Sequence, residues 1–458
     1  MQRIQLQPWS SASAEELPAV KRFHIWTIGC QMNEAESAKA AALLRQAGYL
    51  PAAHEWEADL VIVNTCVVRQ QAEDKALGYI GALARLKRRR PEVRIAVTGC
   101  LVTGQEERLA ERFPWVDLWY GPSDFARLTR LIPELSEVDI DLVELPHYYP
   151  EGQADPEVTA FVPVIYGCNF VCSYCIVPYR RGRERSRPVE HVVAEVTRLA
   201  EQGVREVTLL GQTVNAYGHD LPGQPDLADL LAHVHEVPGI ERIRFLTSHP
   251  KYFSDKLIRA IADLPKVCEH VNLPVQAGDD EVLRRMRRNY SVQEYRERIA
   301  RIREWIPDVT LSTDIIVGFP GESEEQFLNT YRLLEEIRFD KVHVAMYSPR
   351  PGTLSARWVD DVPREEKRRR HRAIEELQER IARERNQRYL GRTVEVLVDG
   401  VARGRWRGRT RGNTLVFFEA AGEWRGRLVP VRITEVSPWY LLGEPAVVGA
   451  PEPAGVAH

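Results

Sequence analysis

Residues 166–175 read YGCNFVCSYC and directly follow an apolar, strand-like run at Phe161–Ile165. The cysteines Cys168, Cys172 and Cys175 have the spacing C-x3-C-x2-C, and no fourth ligand follows at a matching distance. A structural zinc site takes four ligands, whereas three thiolates on one loop suit a [4Fe–4S] cluster that leaves one iron without a protein ligand. Because an open iron can bind a substrate or a cofactor, we predict that this loop is catalytic.

Length and charge limit what the rest of the chain can be. With 458 residues it should form two to four domains, each large enough to bury a core. Its 62 Lys and Arg against 65 Asp and Glu give a net charge of −3, so any affinity for nucleic acid must come from a local basic surface. No apolar run has the length of a signal peptide or membrane span, which predicts a cytoplasmic protein with reduced cysteines.

Strand-like and helical patterns alternate over residues 22–135 and predict an open parallel α/β domain. Asn33 followed by Glu36 is typical of a capped helix start, Gly48 is placed to end that helix, and a later helix is expected from Ser123. The expected strands are residues 23–28, 60–63, 95–97 and 116–120.

Three further cysteines occupy equivalent places in this domain. Cys30, Cys66 and Cys100 each follow the carboxyl end of a predicted strand. Open parallel sheets bind ligands at that edge, so the three are predicted to form a second thiolate site. The alternative is that they are small buried hydrophobic residues, as free cysteines often are. That alternative is preferred for Cys268, which stands outside any motif.

Six strand–helix units are predicted between residues 159 and 390, which is too few for a closed eight-unit barrel. We therefore expect an open, partial (βα)6 barrel, followed by a charged connecting helix over residues 363–390. Residues 136–158 are predicted to be a linker, and residues 1–21 and 446–458 poorly ordered tails. The expected strands are 161–165, 206–210, 243–246, 271–275, 309–317 and 341–345.

The segment 391–445 has an all-β pattern and predicts a small β-barrel. Between Arg403 and Arg432 there are eight Arg and only two acidic residues. Alternating arginines with Trp406 and Phe417 nearby suit a surface that holds a phosphate backbone and stacks bases, although a basic surface is often no more than a soluble one.

Several short motifs accompany the three-cysteine loop in a consistent order. They are VPYRRG at 177–182, SRP at 186–188, GCQMN at 29–33, NTCVVR at 64–69 and LLGQTVNAY at 209–217. Together they resemble the radical S-adenosylmethionine (SAM) methylthiotransferases, and within that family the tRNA-modifying MiaB branch, over about residues 22–440.

The resemblance implies two [4Fe–4S] clusters and SAM as cofactors. Cys168, Cys172 and Cys175 would hold the SAM-binding cluster, and Cys30, Cys66 and Cys100 an auxiliary one. Tyr174, beside the last cysteine, could cover the cluster or the adenine of SAM, or be ordinary packing. The other motif positions expected to line the SAM or substrate pocket are Gln212, Asn215, Ser248, Gln276, Arg288 and Asp314.

The implied reaction replaces a hydrogen on carbon 2 of N6-isopentenyladenosine, next to the tRNA anticodon, with a methylthio group. The C-terminal segment resembles the TRAM module, so RNA contacts are expected from Arg405, Arg407, Arg409 and Arg411. The expected partners are the tRNA anticodon stem-loop and an electron donor such as flavodoxin or ferredoxin, with no membrane partner. The chain is expected to be a monomer.

Other functions remain open at this stage. A sister enzyme would methylthiolate threonylcarbamoyl-adenosine in tRNA. Methylthiolation of a ribosomal protein is disfavoured, because enzymes of that kind typically carry Pro-Lys after the first Gly-Cys, where this chain has Gln31-Met32. The non-enzymatic alternatives are an electron-transfer protein with two closed clusters and a zinc-binding RNA module.

Overall fold

The computed structural model describes residues 20–68, 70–137 and 158–446. Apart from their boundary residues, the predicted tails and the predicted linker lie outside these ranges, as does Arg69. Within the described residues, no helix has both the length and the apolar character needed to span a membrane.

The first domain is a parallel sheet of five strands, ordered β2-β1-β3-β4-β5. The apolar run predicted as a buried strand is central: Leu60 and Ile62 face one core cluster, while Val61 and Val63 face another on the opposite side. Burial on both faces explains why the run is uninterrupted. The elements are β1 Arg22–Thr27, α1 Gln31–Gln46, β2 Leu50–Pro51, β3 Leu60–Thr65, α2 Gln70–Arg89, β4 Arg94–Gly99, α3 Glu106–Arg112 and β5 Leu118–Trp119.

Two local predictions for this domain are wrong. Helix α1 begins at Gln31 after Cys30, without a side-chain cap, so Asn33 and Glu36 do not cap it. The helix expected from Ser123 is a short 3-10 segment that begins only at Phe125. Both predictions used local propensity, whereas the side chains make tertiary contacts: Ser123 Oγ donates to Glu36 Oε1 at 2.6 Å, and Asn33 and Glu36 bind an arginine of the second domain.

The second domain is an open barrel, as predicted. Its six main strands form two parallel sheets, β6-β9-β10 and β11-β12-β13, and Ile243 of β10 bonds to the segment entering β11 through Lys266 O at 2.7 Å. Strands β6 and β13 are the two edges. The elements are β6 Thr159–Pro163, β7 Ile165–Tyr166, α4 Val177–Arg181, β8 Arg185–Ser186, α5 Val189–Glu201, β9 Glu206–Leu210, α6 Leu227–His235, β10 Arg242–Phe245, α7 Asp255–Asp263, β11 His270–Asn272, α8 Asp280–Arg285, α9 Val292–Trp305, β12 Thr310–Val317, α10 Glu324–Ile337, β13 Lys341–Met346 and α11 Arg364–Asn386.

The first domain packs against one edge of this barrel. Met32 and Ala35 of α1 form an apolar cluster with Leu210 at the end of β9, and Phe161 of β6 packs against it. The carboxyl ends of the first sheet and of the barrel are therefore brought to the same region.

The third domain is a closed barrel of five strands, ordered β14-β15-β16-β18-β17. The sequence pattern predicts only three of them, over residues 394–398, 414–418 and 429–436, because the Arg-rich β15 and the short β18 lack a continuous apolar run. The strands are β14 Thr393–Ala402, β15 Arg405–Thr410, β16 Leu415–Phe418, β17 Leu428–Val436 and β18 Leu441–Pro445.

The third domain docks at the amino-terminal ends of the open-barrel strands. Arg242, the first residue of β10, donates to Arg409 O at 2.7 Å and to Glu395 Oε1 at 2.9 Å. Arg244 donates to Thr410 O at 2.8 Å, and its other face pairs with the buried Glu206 at 2.9 Å. The cysteine loop leaves the opposite, carboxyl-terminal end of the barrel, so the third domain closes the far end.

Gly412 tests this docking contact. A Cβ at position 412 would lie 2.2 Å from Thr310 Oγ1, and such overpacking costs about 1–3 kcal/mol. We expect Gly412→Ala to lower the thermal unfolding midpoint and to speed limited proteolysis between α11 and β14. Gly400→Ala is the matched control, since its Cβ would meet its nearest atom at 3.5 Å. Equal protease resistance in the two variants would contradict the contact.

Candidate functional site

The three-cysteine loop is anchored by backbone contacts. Cys168 N donates to Gly182 O at 3.1 Å, and Ser173 N donates to Met286 O at 3.0 Å. Gly167 has φ +73°, and a Cβ there would lie 2.1 Å from Arg183 O, so only glycine allows the two segments to approach. The loop is therefore held on both sides before any ligand binds.

Cys168 and Cys172 are buried and Cys175 is partly buried, next to cationic and hydroxyl donors. Burial raises the pKa of Cys168 and raises that of Cys175 to about 12, and the neighbouring thiols add to both shifts. Thr213 Oγ1 lies 3.4 Å from Cys168 Sγ, and Arg288 Nη1 donates to Cys172 Sγ at 3.7 Å. Thiols with pKa values raised in this way ionise to thiolates only when a strong cation lies beside them. The donor set fits an iron–sulfur cluster.

Two buried polar atoms next to the loop have no hydrogen-bond partner among the described residues, Ser248 Oγ and His249 Nε2. The His249 ring stacks on Phe170 with centroids 3.8 Å apart, and burial lowers its pKa to about 2, so it is neutral. Buried polar groups are normally satisfied. A polar ligand at this end of the barrel would satisfy both atoms, which fits the expected SAM pocket.

The other expected pocket residues differ in their contacts. Asn215 is engaged by backbone: its Nδ2 donates to His249 O at 2.9 Å and its Oδ1 accepts from His249 N at 2.8 Å. Arg288 donates to Pro274 O at 2.9 Å. Tyr174 packs edge-on against Phe319, with centroids 6.4 Å apart. Asn215 thus orients the loop that carries His249.

Gln212, Gln276 and Asp314 complete the set. Gln212 is half-buried just after β9. Gln276 has φ +75° and forms an isolated bridge with Ile315. Left-handed backbone at a non-glycine residue is strained, and such strain concentrates at functional sites. Asp314 lies within β12 rather than at its end, and its Oδ2 accepts from Asn272 at 3.4 Å.

The second cysteine set lies at one edge of the first sheet. Cys30, Cys66 and Cys100 follow β1, β3 and β4, which are neighbours in the sheet. The strand order reverses between β1 and β3, and such switch points are the usual ligand crevice. Two glycines permit the approach: a Cβ at Gly29 would lie 2.7 Å from Cys66 Cβ, and one at Gly99 would lie 2.2 Å from Thr65 O.

These thiols are also close enough to affect one another. Burial raises the pKa of Cys100 to about 11, and Cys66 and Cys30 raise it further. Within the described ranges, no group of three or more His, Cys, Asp and Glu is arranged around a position for a single metal ion. Cys268 lies apart from both sets, fully buried near Arg244 at the other end of the barrel.

Arg181 joins the two cysteine sets, and the sequence motifs assign it no role. It is the last residue of α4, the helix that follows the three-cysteine loop, and its side chain contacts the first domain. Its guanidinium pairs with Glu36 Oε1 at 2.7 Å, donates to Asn33 Oδ1 at 2.9 Å and donates to Cys100 Sγ at 3.3 Å. Both partners of the ion pair are almost fully buried, with exposed side-chain fractions of 3% and 4%. The Asn33–Glu36 spacing is the only local signal of this contact, and the same spacing is typical of a helix cap.

The four arginines expected to contact RNA have protein partners. Arg405 pairs with Glu419 at 2.8 Å and Arg407 with Asp399 at 2.6 Å. Arg409 donates to Asn413 Oδ1 at 3.3 Å. Arg411 forms a two-pronged pair with Glu269, at 2.7 and 2.8 Å, across the docking contact. Arg405 is the most exposed of the four.

Removing the Arg181 side chain should destabilise the protein, because its partner Glu36 remains buried without a counter-charge. Arg181→Met leaves Glu36 charged and unpaired, and we expect the free energy of unfolding to fall by about 3–5 kcal/mol. Urea unfolding of the iron-free chain measures this without any cofactor. Glu36→Gln in the same background should restore part of the loss, because the remaining group is neutral.

The control for this pair is Arg127→Met, since Arg127 and Asp124 form an exposed pair at 2.9 Å. Exposed pairs contribute about 0–1 kcal/mol. A double variant no more stable than Arg181→Met alone would show that the ion pair is not the source of the loss.

Comparison with known proteins identifies three family profiles along the chain. Residues 22–121 match the family described as "Uncharacterized protein family UPF0004", residues 162–334 match the radical SAM superfamily, and residues 387–446 match the TRAM domain. Among solved structures, the radical SAM methyltransferase TsrM from Kitasatospora setae, with tryptophan and a SAM analogue bound, is similar with a TM-score of 0.52. It is 15% identical and the match covers 71% of this chain and 73% of that one, which shows a shared fold only.

Curated relatives match almost the whole chain. A protein named tRNA-2-methylthio-N6-dimethylallyladenosine synthase from Roseiflexus sp. (strain RS-1) is 48% identical, over 95% of this chain and 91% of its own length. One of the same name from Herpetosiphon aurantiacus is 49% identical, over 94% of this chain and 99% of its own. The chain therefore belongs to the radical SAM methylthiotransferase family, in its MiaB branch.

Proposed function

We propose that this chain is a tRNA methylthiotransferase, which places a methylthio group on carbon 2 of N6-isopentenyladenosine beside the anticodon. The observation that carries the proposal is the pair of three-cysteine sets, joined by Arg181 at 3.3 Å from Cys100 Sγ. One thiolate set serves radical generation, and a second set beside it provides a place for sulfur. The relatives that match almost the whole chain carry the name of this activity.

Membership of the radical SAM superfamily implies one [4Fe–4S] cluster and SAM. Cys168, Cys172 and Cys175 would hold that cluster, which when bound supplies the electron that cleaves a C–S bond of SAM. A second cluster at Cys30, Cys66 and Cys100 is part of the proposal. It is supported by the edge position of these thiols and by the mutual effect of their charges.

The surrounding side chains have separate tasks in this mechanism. Arg288 and Thr213 donate toward the Cys172 and Cys168 sulfurs and stabilise their thiolate forms. The stacked rings of Phe170 and His249 lie beside the loop, and the unpartnered His249 Nε2 is available to a polar ligand. We assign polar contacts with SAM to Ser248, whose hydroxyl is buried and unpartnered among the described residues.

The remaining assignments belong to the same proposal. Gln212, Gln276 and Asp314 would line the SAM or substrate pocket, with Tyr174 covering the cluster side. The RNA would approach as the anticodon stem-loop, with Arg405, Arg407, Arg409 and Arg411 on the third domain near its path. An electron donor such as flavodoxin or ferredoxin would reduce the cluster of a monomeric, cytoplasmic enzyme.

The nucleoside content of tRNA tests the function directly. We expect a strain lacking this chain to lose 2-methylthio-N6-isopentenyladenosine and to accumulate N6-isopentenyladenosine, measured by mass spectrometry. Complementation with the Cys172→Ala variant should not restore the product, whereas Cys268→Ala should. Loss of 2-methylthio-threonylcarbamoyl-adenosine instead would assign the sister reaction. An unchanged profile in a strain with no second such enzyme would contradict both.

Iron content and SAM cleavage test the division between the two sets. After anaerobic reconstitution we expect about eight irons per chain, as two [4Fe–4S] clusters require. Cys66→Ala should retain about four irons, the content of one such cluster, and still cleave SAM, but transfer no sulfur. Cys172→Ala should abolish SAM cleavage. Loss of cleavage in both variants would show that the sets do not act separately, and bound zinc without iron would support the RNA-module alternative.

A further inference from the structure

A cleft between the first two domains carries an excess of positive charge that the mechanism above does not use. Its volume is about 200 Å³, and its charged lining residues are Arg108, Arg112, Arg180, Arg350 and a single carboxylate, Glu73. The lining also includes Val67, Leu101 and Ile176, which directly follow Cys66, Cys100 and Cys175 in the chain. The cleft therefore lies next to both cysteine sets.

Arg350 is buried and Arg180 is half-buried, and each has at most one ion-pair partner among the described residues. Arg350 is only 7% exposed; its Nη1 donates to the neutral Gln70 Oε1 at 3.0 Å, and Glu73 is at 3.5 Å. Arg180 donates to Thr103 O, and its buried Nε has no partner among the described residues. Burial lowers the pKa of both guanidinium groups, although Glu73 lies near each of them and Glu106 lies near Arg180.

Buried cations are costly unless an anion accompanies them. A guanidinium presents donors in a planar fork that matches the oxygens of a phosphate. Arg108 and Arg112 add two exposed cations on the outer lip, on α3. Four guanidinium groups against the single lining carboxylate Glu73 leave a net positive charge that suits an oxyanion.

We propose that this cleft binds a phosphate, and that its occupant is a backbone phosphate of the RNA substrate next to the modified base. The identity of the occupant rests on the proposed function, while the oxyanion chemistry does not. A target base that reaches the cluster loop brings its own flanking phosphates to the neighbouring surface. Arg405, Arg407 and Arg411 already pair with carboxylates of the protein, whereas Arg180 forms no ion pair with a described carboxylate.

The test is the salt dependence of RNA binding to the reconstituted full-length chain, measured by fluorescence anisotropy with an anticodon stem-loop. Removing one cation that binds a phosphate of a single-stranded region lowers the slope of log K against log salt by about 0.7. We expect this decrease for Arg180→Gln and, because two cations are removed, a decrease of up to about 1.4 for the Arg108→Gln/Arg112→Gln pair. Arg332→Gln is the control, because Arg332 is an exposed arginine on α10 that pairs with Glu325. Iron content equal to that of the unsubstituted chain confirms that each variant is intact.

Two further arms identify the source of the phosphate. A stem-loop with neutral methylphosphonates beside the target base should show the same decrease with the unsubstituted chain and no further decrease with Arg180→Gln. Inorganic phosphate alone should raise the thermal midpoint of the unsubstituted chain more than that of Arg180→Gln.

The outcomes separate the site from the function. A phosphate-dependent shift that disappears in Arg180→Gln, with unchanged RNA slopes, would keep the oxyanion site and overturn RNA as its source. Unchanged slopes and unchanged phosphate response would overturn the site itself. If the unsubstituted chain does not bind the stem-loop at all, the proposed function fails, and the phosphate response alone decides the cleft.

Discussion

The buried ion pair between Arg181 and Glu36 is the contact that the arrangement of the site depends on. It connects the helix after the three-cysteine loop to the helix after Cys30, and its guanidinium also reaches Cys100 Sγ at 3.3 Å. A buried pair of this kind adds little to stability compared with an apolar contact, since both charges lose their hydration. Its effect is specificity: an uncompensated charge results whenever the two domains shift apart. The relative position of the two thiolate sets is therefore maintained by the need to keep Arg181 and Glu36 paired.

Close backbone approach is the second requirement, and glycine meets it in both domains. Gly29 and Gly99 let three neighbouring strand ends converge, and Gly167 lets the cysteine loop pass Arg183 O. Parallel strands then place their carboxyl ends on one side in each domain. The apolar contact of Met32 and Ala35 with Leu210 brings those two sides together. Residues distant in the chain thus share one site because two parallel sheets point toward the same interface.

The third domain is positioned by charges at the other end of the barrel. Arg242 and Arg244 donate to carbonyl groups of β14 and β15 and to the segment after β15, and Arg411 returns a paired contact to Glu269. The arginines that appear in the sequence as a free basic stripe therefore also serve docking and internal pairing. Near the cysteine sets, Arg181 is paired with Glu36, whereas Arg180 forms no ion pair with a described carboxylate. Local basicity in the chain and available positive charge in the fold are different quantities, because pairing depends on distant carboxylates.

The fold class, the six cysteines and their division into two sets could all be predicted from the amino-acid sequence. The alternation of strands and helices follows from the spacing of apolar residues along the chain. The position of a cysteine directly after a predicted strand places it at the edge of the sheet. Both features can be recognised from neighbouring residues. The sequence did not predict that Asn33 and Glu36 bind Arg181 instead of capping α1, or that Arg411 pairs with Glu269; these contacts are seen only in the folded protein. Those partners are far apart in the chain, at sequence distances of 145 for Arg181–Glu36 and 142 for Arg411–Glu269. A local sequence pattern contains no information about a charged side chain that belongs to another domain. The ion pairs that connect the domains could therefore be identified only from the folded structure.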